Sequence, residues 1–396
     1  MARVLFAWEF GGDLGHASRL VPIARALRSL GHEPLFAFRD LTLLGTLASD
    51  GFPWFAAPRL REPAQRNPSP LNAADILLNL GYADWTGLAG ALRAWQSLLS
   101  LLRPGLVVGD YAPTALLAAR ALGLARMTIG TGFSLPAAGD PLPALRAWHP
   151  TERATLARID ARLVENVTKA FGSLPRGGSA PRRAADLFEA DAHLLCTFPA
   201  LDPFGPRDGV EYVGPQGDPG PGIDVPWGGA SPRIFAYLKP RDARFSRIVD
   251  ALRALGGDAH VAAPGLDPIQ AHALSSATLH VHPQPIRLDT FLAGADLCLF
   301  HAGPGLAARA LVAGVPMALL PMQLEQFLVG SRLASAGVAT LLGPEEALPD
   351  LAEWIGQAAG NRELKEAART EAAQHAGYRF DDAAMRTAAR IAQGLA

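Results

Sequence analysis

Apolar residues in this chain fall into short unbroken runs, each followed by a stretch in which they recur every three or four positions. "RVLFAWEF" (3–10) is a run of the kind buried on both faces of a parallel sheet. After "GGDLGHA" the spacing lengthens, and Leu20, Ile23, Ala24, Leu27 and Leu30 share one helical stripe that Gly31 ends. Ser18 reads as the N-cap, which places Pro22 in the first turn, where its missing N–H costs little. "EPLFAF", "GLVVGD" (105–110) and "ARMTIGTG" (125–132) are further strands, the last two bracketing the helix "APTALLAARALG". The rhythm is βαβαβ and predicts a doubly wound sheet. Residues 134–185 are less regular, with long amphipathic helices, before the strands "AHLLCTF" and "VEYVG".

"GPQGDPGPGIDVPWGGASP" is dense in Gly and Pro and reads as a linker. The rhythm then restarts with strand "RIFAYL", helix "DARFSRIVDALRALG", strands "AHVAAP" and "TLHVHP", helix "RLDTFLAGA" and strand "DLCLFHAG". A helix after Gly305, strand "PMALLP", a helix from Glu325 to Ala336 and closing helices follow. The expected division is an N-terminal domain 1–213, a linker 214–231, a C-terminal domain 232–378, and a helix 379–396 packing back on the first domain. The expected fold is α/β: two doubly wound, Rossmann-like domains in tandem, facing across a cleft, with ligands at the carboxyl ends of the strands.

Composition narrows the partners. A formal charge of −1 over 396 residues offers no basic footprint for nucleic acid. Lys and Arg are scattered, without a block that would dock on anionic lipid. No apolar stretch approaches the roughly 20 residues needed to span a bilayer, and Glu9 interrupts the N-terminal run, so a soluble, cytoplasmic protein without a signal peptide is expected. Cys196 and Cys298 lie in apolar runs and read as buried thiols.

"HAGPGLAARALVAGVP" (301–316) holds the clearest chemistry. Gly303 and Gly305 let a ligand approach the main chain, and the helix read as 306–313 offers free N–H groups at its positive end. His301 adds a donor from the strand end. Such a turn suits a phosphate or pyrophosphate, although Gly can also serve a plain strand–helix turn. Around it the order is Pro-Gln, helix, apolar strand, His-x-Gly-x-Gly, helix, Gly-Val-Pro, apolar strand, then Glu-Gln opening a helix. Over residues 281–338 this resembles the donor-sugar signature of the family 1 glycosyltransferases, nucleotide-sugar enzymes of the GT-B fold, and among them the bacterial natural-product type.

The resemblance implies that His301 and the backbone of Gly303, Gly305 and Leu306 hold the diphosphate. Gln284 falls where the family positions the nucleobase, and Glu325 and Gln326 fall on the Asp-Gln pair that binds the sugar. Three departures stand out. Leu306 replaces a hydroxyl or amide side chain, and Arg309 replaces the Glu that grips the ribose, which a cation cannot do. The strand after the linker ends in "YLKP" where the family has Gly-Ser or Gly-Thr. Lys239 and Arg309 are therefore expected at the phosphates.

"GGDLGHA" resembles the family's first loop and makes His16 the expected general base, its pKa range suited to the task; the alternative is a loop histidine capping a strand. Asp110, delivered by "LVVGD", is the expected partner, with Asp13 as a local competitor and helix capping as its other reading. Trp54, Tyr82, Trp85, Phe133 and Trp148 line an apolar acceptor pocket or pack in the core. The resulting expectation is inverting transfer from a nucleotide-diphosphate sugar (UDP or dTDP) to a hydroxyl of a small apolar acceptor. No cofactor or metal is needed, since helix dipole and amides stabilise the leaving group. A catalytically degenerate GT-B ligand-binding or partner-activating subunit remains the alternative, ahead of a nucleotide-sugar 2-epimerase or a cell-wall GlcNAc transferase.

Overall fold

The computed structural model describes residues 1–12, 15–42, 50–175, 178–216, 222–343 and 346–395, with only the backbone of Asp289 and Thr290. The chain forms two compact units. One comprises Met1–Cys196, Arg207–Gly217 and Asp381–Ala396, the other Thr197–Pro206 and Asp218–Phe380.

In the first unit seven parallel strands, β1 (Arg3–Trp8), β2 (Glu33–Phe38), β3 (Trp54–Ala56), β4 (Leu106–Asp110), β5 (Ala125–Gly130), β6 (Ala192–Leu195) and β7 (Glu211–Tyr212), lie in the order β3-β2-β1-β4-β5-β6-β7. The second unit repeats the plan with β8 (Arg233–Tyr237), β9 (Asp258–Ala262), β10 (Leu279–His282), β11 (Leu297–Phe300), β12 (Met317–Leu319) and β13 (Ala339–Leu341) in the order β10-β9-β8-β11-β12-β13. Both sheets are doubly wound. In each, the chain runs outward over two strands and returns to the other side of the first, so the winding switches between β1 and β4 and between β8 and β11.

The unbroken apolar runs follow from burial on both faces. Alternate β1 side chains enter different cores: Leu5 and Ala7 pack with Leu92 and Trp95, whereas Val4, Phe6 and Trp8 pack with Ile23 and Leu27. Likewise Leu297 and Leu299 of β11 join one core, and Cys298 and Phe300 another. The last helix, Phe380–Gln393, contributes Ala388 and Ile391 to the core of Val4 and Phe6. Arg390 grips both carboxylate oxygens of Glu211.

Three expectations are corrected. The first helix is Gly15–Ser29, four residues longer at its start than an N-cap at Ser18 implies, so Pro22 sits inside it. A seven-residue helix, Pro268–Leu274, intervenes between β9 and β10, capped by Asp267 through the amides of Ile269 and Gln270. The donor-loop helix begins at Pro304, with Gly303 as N-cap and left-handed Gly314 at its end. Both cysteines are free and buried. Among the described residues no helix is long and apolar enough to cross a membrane.

Candidate functional site

The two switch points carry chemically related constructions. In the first unit β4 ends at Asp110, 1% exposed. Tyr111 follows in the left-handed region (φ 49°), and a helix starts with Pro113. In the second, His301 follows β11, Ala302 is left-handed (φ 56°), and a helix starts with Pro304. A left-handed residue with a Cβ is uncommon and is retained where the surroundings require it. Here it turns the chain from the strand end into the helix twice over.

The two helix starts differ in what meets their amides. Pro supplies no N–H at the first helical position, so the next two residues carry the available donors. In the first unit these are Thr114 and Ala115, and each donates at 2.9 Å to a carboxyl oxygen of buried Glu9, just past β1. In the second they are Gly305 and Leu306, and among the described residues no side chain caps them. A Cβ built on Gly303 or Gly305 would meet nothing within 4 Å, so the main chain there is open to close approach. Asp110 pairs with Trp8 in the β1–β4 register, and Phe300 with Tyr237 in the β11–β8 register. One step further sets Leu238 beside His301, so Lys239 corresponds to Glu9. The second unit thus has a cation where the first has its internal carboxyl.

Burial pushes the Glu9 carboxyl up to about 8, against the pull of the two amides. Because the folded state binds this proton more tightly than the unfolded chain, Glu9 lowers stability progressively as pH rises from about 4.5 to about 8, and no further above that. Glu9→Gln removes the ionisation. Urea unfolding at both ends of this window is expected to show the variant gaining on the wild type as pH rises; a pH-independent difference between them contradicts the assignment.

His16, near the start of the first helix, lies with Nδ1 3.0 Å from Asp110 Oδ1. Its ring stacks on Trp8 at 4.9 Å between centroids. Arg19, one turn along the helix, donates to Asp110 Oδ2 from Nη2 at 2.6 Å and Nε at 3.1 Å. Burial raises the Asp110 carboxyl, but Arg19 and His16 more than offset this and hold it below the usual carboxylate range. Arg19 Nη2 also comes within 3.3 Å of His16 Nδ1. Asp110 Oδ1 is buried with no other hydrogen-bond partner, so a proton on the facing Nδ1 satisfies it and leaves the lone pair on Nε2. Beside Nε2 lies Gly11 (φ +84°), where a Cβ would stand 2.5 Å away. Asp13, the other carboxylate considered for His16, lies outside the described residues.

In the second unit His301 is 4% exposed and engaged at both ring nitrogens. Nδ1 donates to the Leu320 carbonyl at 2.9 Å, and Nε2 accepts from the Lys239 amide at 3.1 Å. Burial depresses its pKa, against the pull of Leu320, and keeps the ring neutral. His301 thus ties the end of β11 to those of β8 and β12, with both ring nitrogens engaged inside the protein. Asp242 lies 3.5 Å from Nδ1, and Arg244 bonds both Asp242 and the Leu320 carbonyl. Arg309 is buried in its helix with its guanidinium 4.4 Å above the Phe380 ring. That cation–π placement accounts for a cation in this helix without a phosphate. Glu325 is half-buried in the first turn of the helix Leu324–Ser335, where Gln326 accepts from the Met322 amide at 2.8 Å. Gln284 is exposed just beyond β10.

Of the proposed acceptor aromatics, Tyr82 belongs to the core and Trp54 packs against it. Tyr82 is fully buried with its hydroxyl 2.9 Å from Thr114 Oγ1, and Trp54 stacks on Phe36 at 4.3 Å. Trp85 and Trp148 are exposed and Phe133 is half-buried. A hollow lined by Tyr111, Ala112, Leu116, Ser134, Leu135 and Phe188 opens instead at the ends of β4 and β5, directly after Asp110. Arg19, Glu9, Asp242 and Arg244 were not singled out as site residues in the sequence. Arg19 carried a signal, since it lies one helical turn from His16; the others depend on long-range contacts.

No family model matches the sequence. The chain is similar to a zeaxanthin glucosyltransferase of Pseudescherichia vulneris, 25% identical over 372 residues that cover 88% of each chain. Its structure resembles the glycosyltransferase of kitacinnamycin, with a TM-score of 0.73 and 16% identity over 100% of this chain and 99% of that one. It also resembles the glycosyltransferase SsfS6 of Streptomyces sp. SF2575, complexed with thymidine diphosphate, with a TM-score of 0.65 and 18% identity over 99% and 100%.

Proposed function

We propose that this chain, a family 1-type glycosyltransferase with the GT-B fold, moves a sugar from a nucleoside diphosphate to a hydroxyl of a small apolar acceptor. The observation that carries the donor half is the uncapped amide pair of Gly305 and Leu306, with Lys239 where the first unit has Glu9. A diphosphate supplies from outside the oxygens that Glu9 supplies from within, and the helix dipole and Lys239 favour its charge. Thymidine diphosphate in the SsfS6 complex supports a dTDP or UDP donor. Gln284 stands toward the base and Glu325 toward the sugar hydroxyls. Gln326 and His301 act as positioning residues, the first through Met322 and the second through Lys239.

In the acceptor half, His16 Nε2 takes the proton of the attacking hydroxyl while Asp110 holds Nδ1–H and stabilises the imidazolium. The acceptor oxygen forms its bond to the anomeric carbon as the bond to the diphosphate breaks. The electron pair leaves on the phosphate and the configuration inverts. Amides, dipole and Lys239 supply the stabilisation that a metal gives elsewhere, so the transfer is metal-independent. The apolar hollow after Asp110 and the zeaxanthin in the name of the sequence relative favour an apolar acceptor.

Arg309, in place of an acid and stacked on Phe380, favours a second reading, binding without turnover. Thermal shift against UDP-, dTDP- and GDP-sugars, followed by product analysis with apolar alcohols and phenols, separates the two. A saturable shift with one nucleotide class, and product formed at a rate indifferent to Mg²⁺ or Mn²⁺, is expected. A shift without product across the panel selects the second reading, and no shift removes both.

A further inference from the structure

On the outer edge of the second sheet, two strands from the donor helix, three histidines and an aspartate meet. Asp258 and His260 alternate on β9 and share a face; His280 on β10 pairs with His260 in register, and His282 follows on the same face. Two glycine amides, Gly228 and Gly229, donate to Asp258 Oδ2 at 2.8 and 2.7 Å. That leaves Oδ1 buried without a hydrogen-bond partner, and His260 Nε2 is in the same condition. The two atoms face each other at 3.2 Å, and His280 Nε2 lies 3.6 Å from the same Oδ1. Within the cluster His260 Nδ1 meets His282 Nε2 at 3.2 Å.

We infer that Asp258 Oδ1, His260 Nε2 and His280 Nε2 form a binding site for a divalent transition-metal ion of the zinc type. Zinc–nitrogen and zinc–oxygen bonds of about 2.0–2.1 Å set ligand atoms about 3.3 Å apart at the corners of a tetrahedron. The two spacings above bracket that value, and all three atoms lie within 4.8 Å of one another. Two imidazoles and one carboxylate suit zinc, cobalt or nickel better than magnesium or calcium. The outer partners are those such a site uses: backbone amides orient the carboxylate, and His282 takes the far nitrogen of a ligand imidazole. His280, 40% exposed, opens the fourth position to water.

The ion staples edge strand β10 to β9 and to the segment before β8, and takes no part in transfer. The test uses full-length, tag-free protein stripped with a chelator. Zinc is titrated in competition with a chromophoric chelator, and cobalt is added in parallel. One ion per chain and the intense visible bands of tetrahedral cobalt(II) are expected. His280→Ala, a change at an exposed position, and Asp258→Asn, which keeps an acceptor for both glycine amides, are each expected to weaken zinc binding at least about 100-fold, beyond the usual loss of an outer partner. Nucleotide binding should persist in both, so this inference and the donor reading fail separately. Equal zinc affinity in the wild type and both variants, or no saturable binding in the wild type, overturns the site.

Discussion

His16→Ala is expected to lower turnover by a factor of about 10² to 10⁴, the usual contribution of a positioned general base, while nucleotide affinity stays nearly unchanged. The split follows from placement. His16, Asp110 and Arg19 belong to the first unit, and every residue assigned to the diphosphate lies in the second. Trp8, against which the ring stacks, is itself in the core, so removing the imidazole leaves its support in place. Asp110→Asn is the poorer probe, because it removes the negative charge opposite the buried Arg19 guanidinium that donates twice to that carboxylate, and losing one charge of a buried pair is strongly destabilising. Turnover and nucleotide affinity measured together on His16→Ala decide the matter: parallel loss of both removes His16 from the chemistry.

Gly303→Asp is expected to separate stability from binding. Gly303 is the N-cap of the helix Pro304–Ala313, in an extended conformation (φ −64°, ψ 131°) open to any residue. An aspartate there has room and reaches the second and third amides of the helix, those of Gly305 and Leu306. It would recreate in the second unit what Glu9 does in the first. Because glycine is already a tolerable N-cap, stability should hold or rise by a few tenths of a kcal/mol. Binding of dTDP or UDP should weaken by about 100-fold or more, since two hydrogen bonds to a charged ligand, each worth about 1.5–3 kcal/mol, are lost and a like charge is added. Gly303→Ala adds bulk without an acceptor. An equal loss in the alanine variant would move the cause from occupied amides to lost space.

The double winding was legible because parallel strands buried on both faces read as unbroken apolar runs, and β1, β4, β8 and β11 all do. Short elements were harder. The helix Pro268–Leu274 announces itself only through Asp267-Pro268, and Pro304 at a first helical position was read as loop. The site residues divide in the same way. That His16 and Asp110 meet could be read from a loop and a strand end, which the structure sets 3.0 Å apart. What His301 does with its nitrogens could not, because Leu320 and the Lys239 amide reach it through tertiary structure. Tyr82 and Trp54 could not be assigned without knowing which faces of the first unit were covered. The histidines and aspartate of that sheet edge stand in "DAH" and "HVH", but only the β9–β10 register brings the two pairs together.

Everything in the donor half depends on a diphosphate resting on the amides that open the helix after His301. Amide ¹H–¹⁵N shifts followed during titration with dTDP or UDP read this directly. The largest, saturable changes should fall on Gly305 and Leu306, with Thr114 and Ala115, already bound to Glu9, left still. Saturable nucleotide binding that leaves Gly305 and Leu306 unmoved would contradict the account.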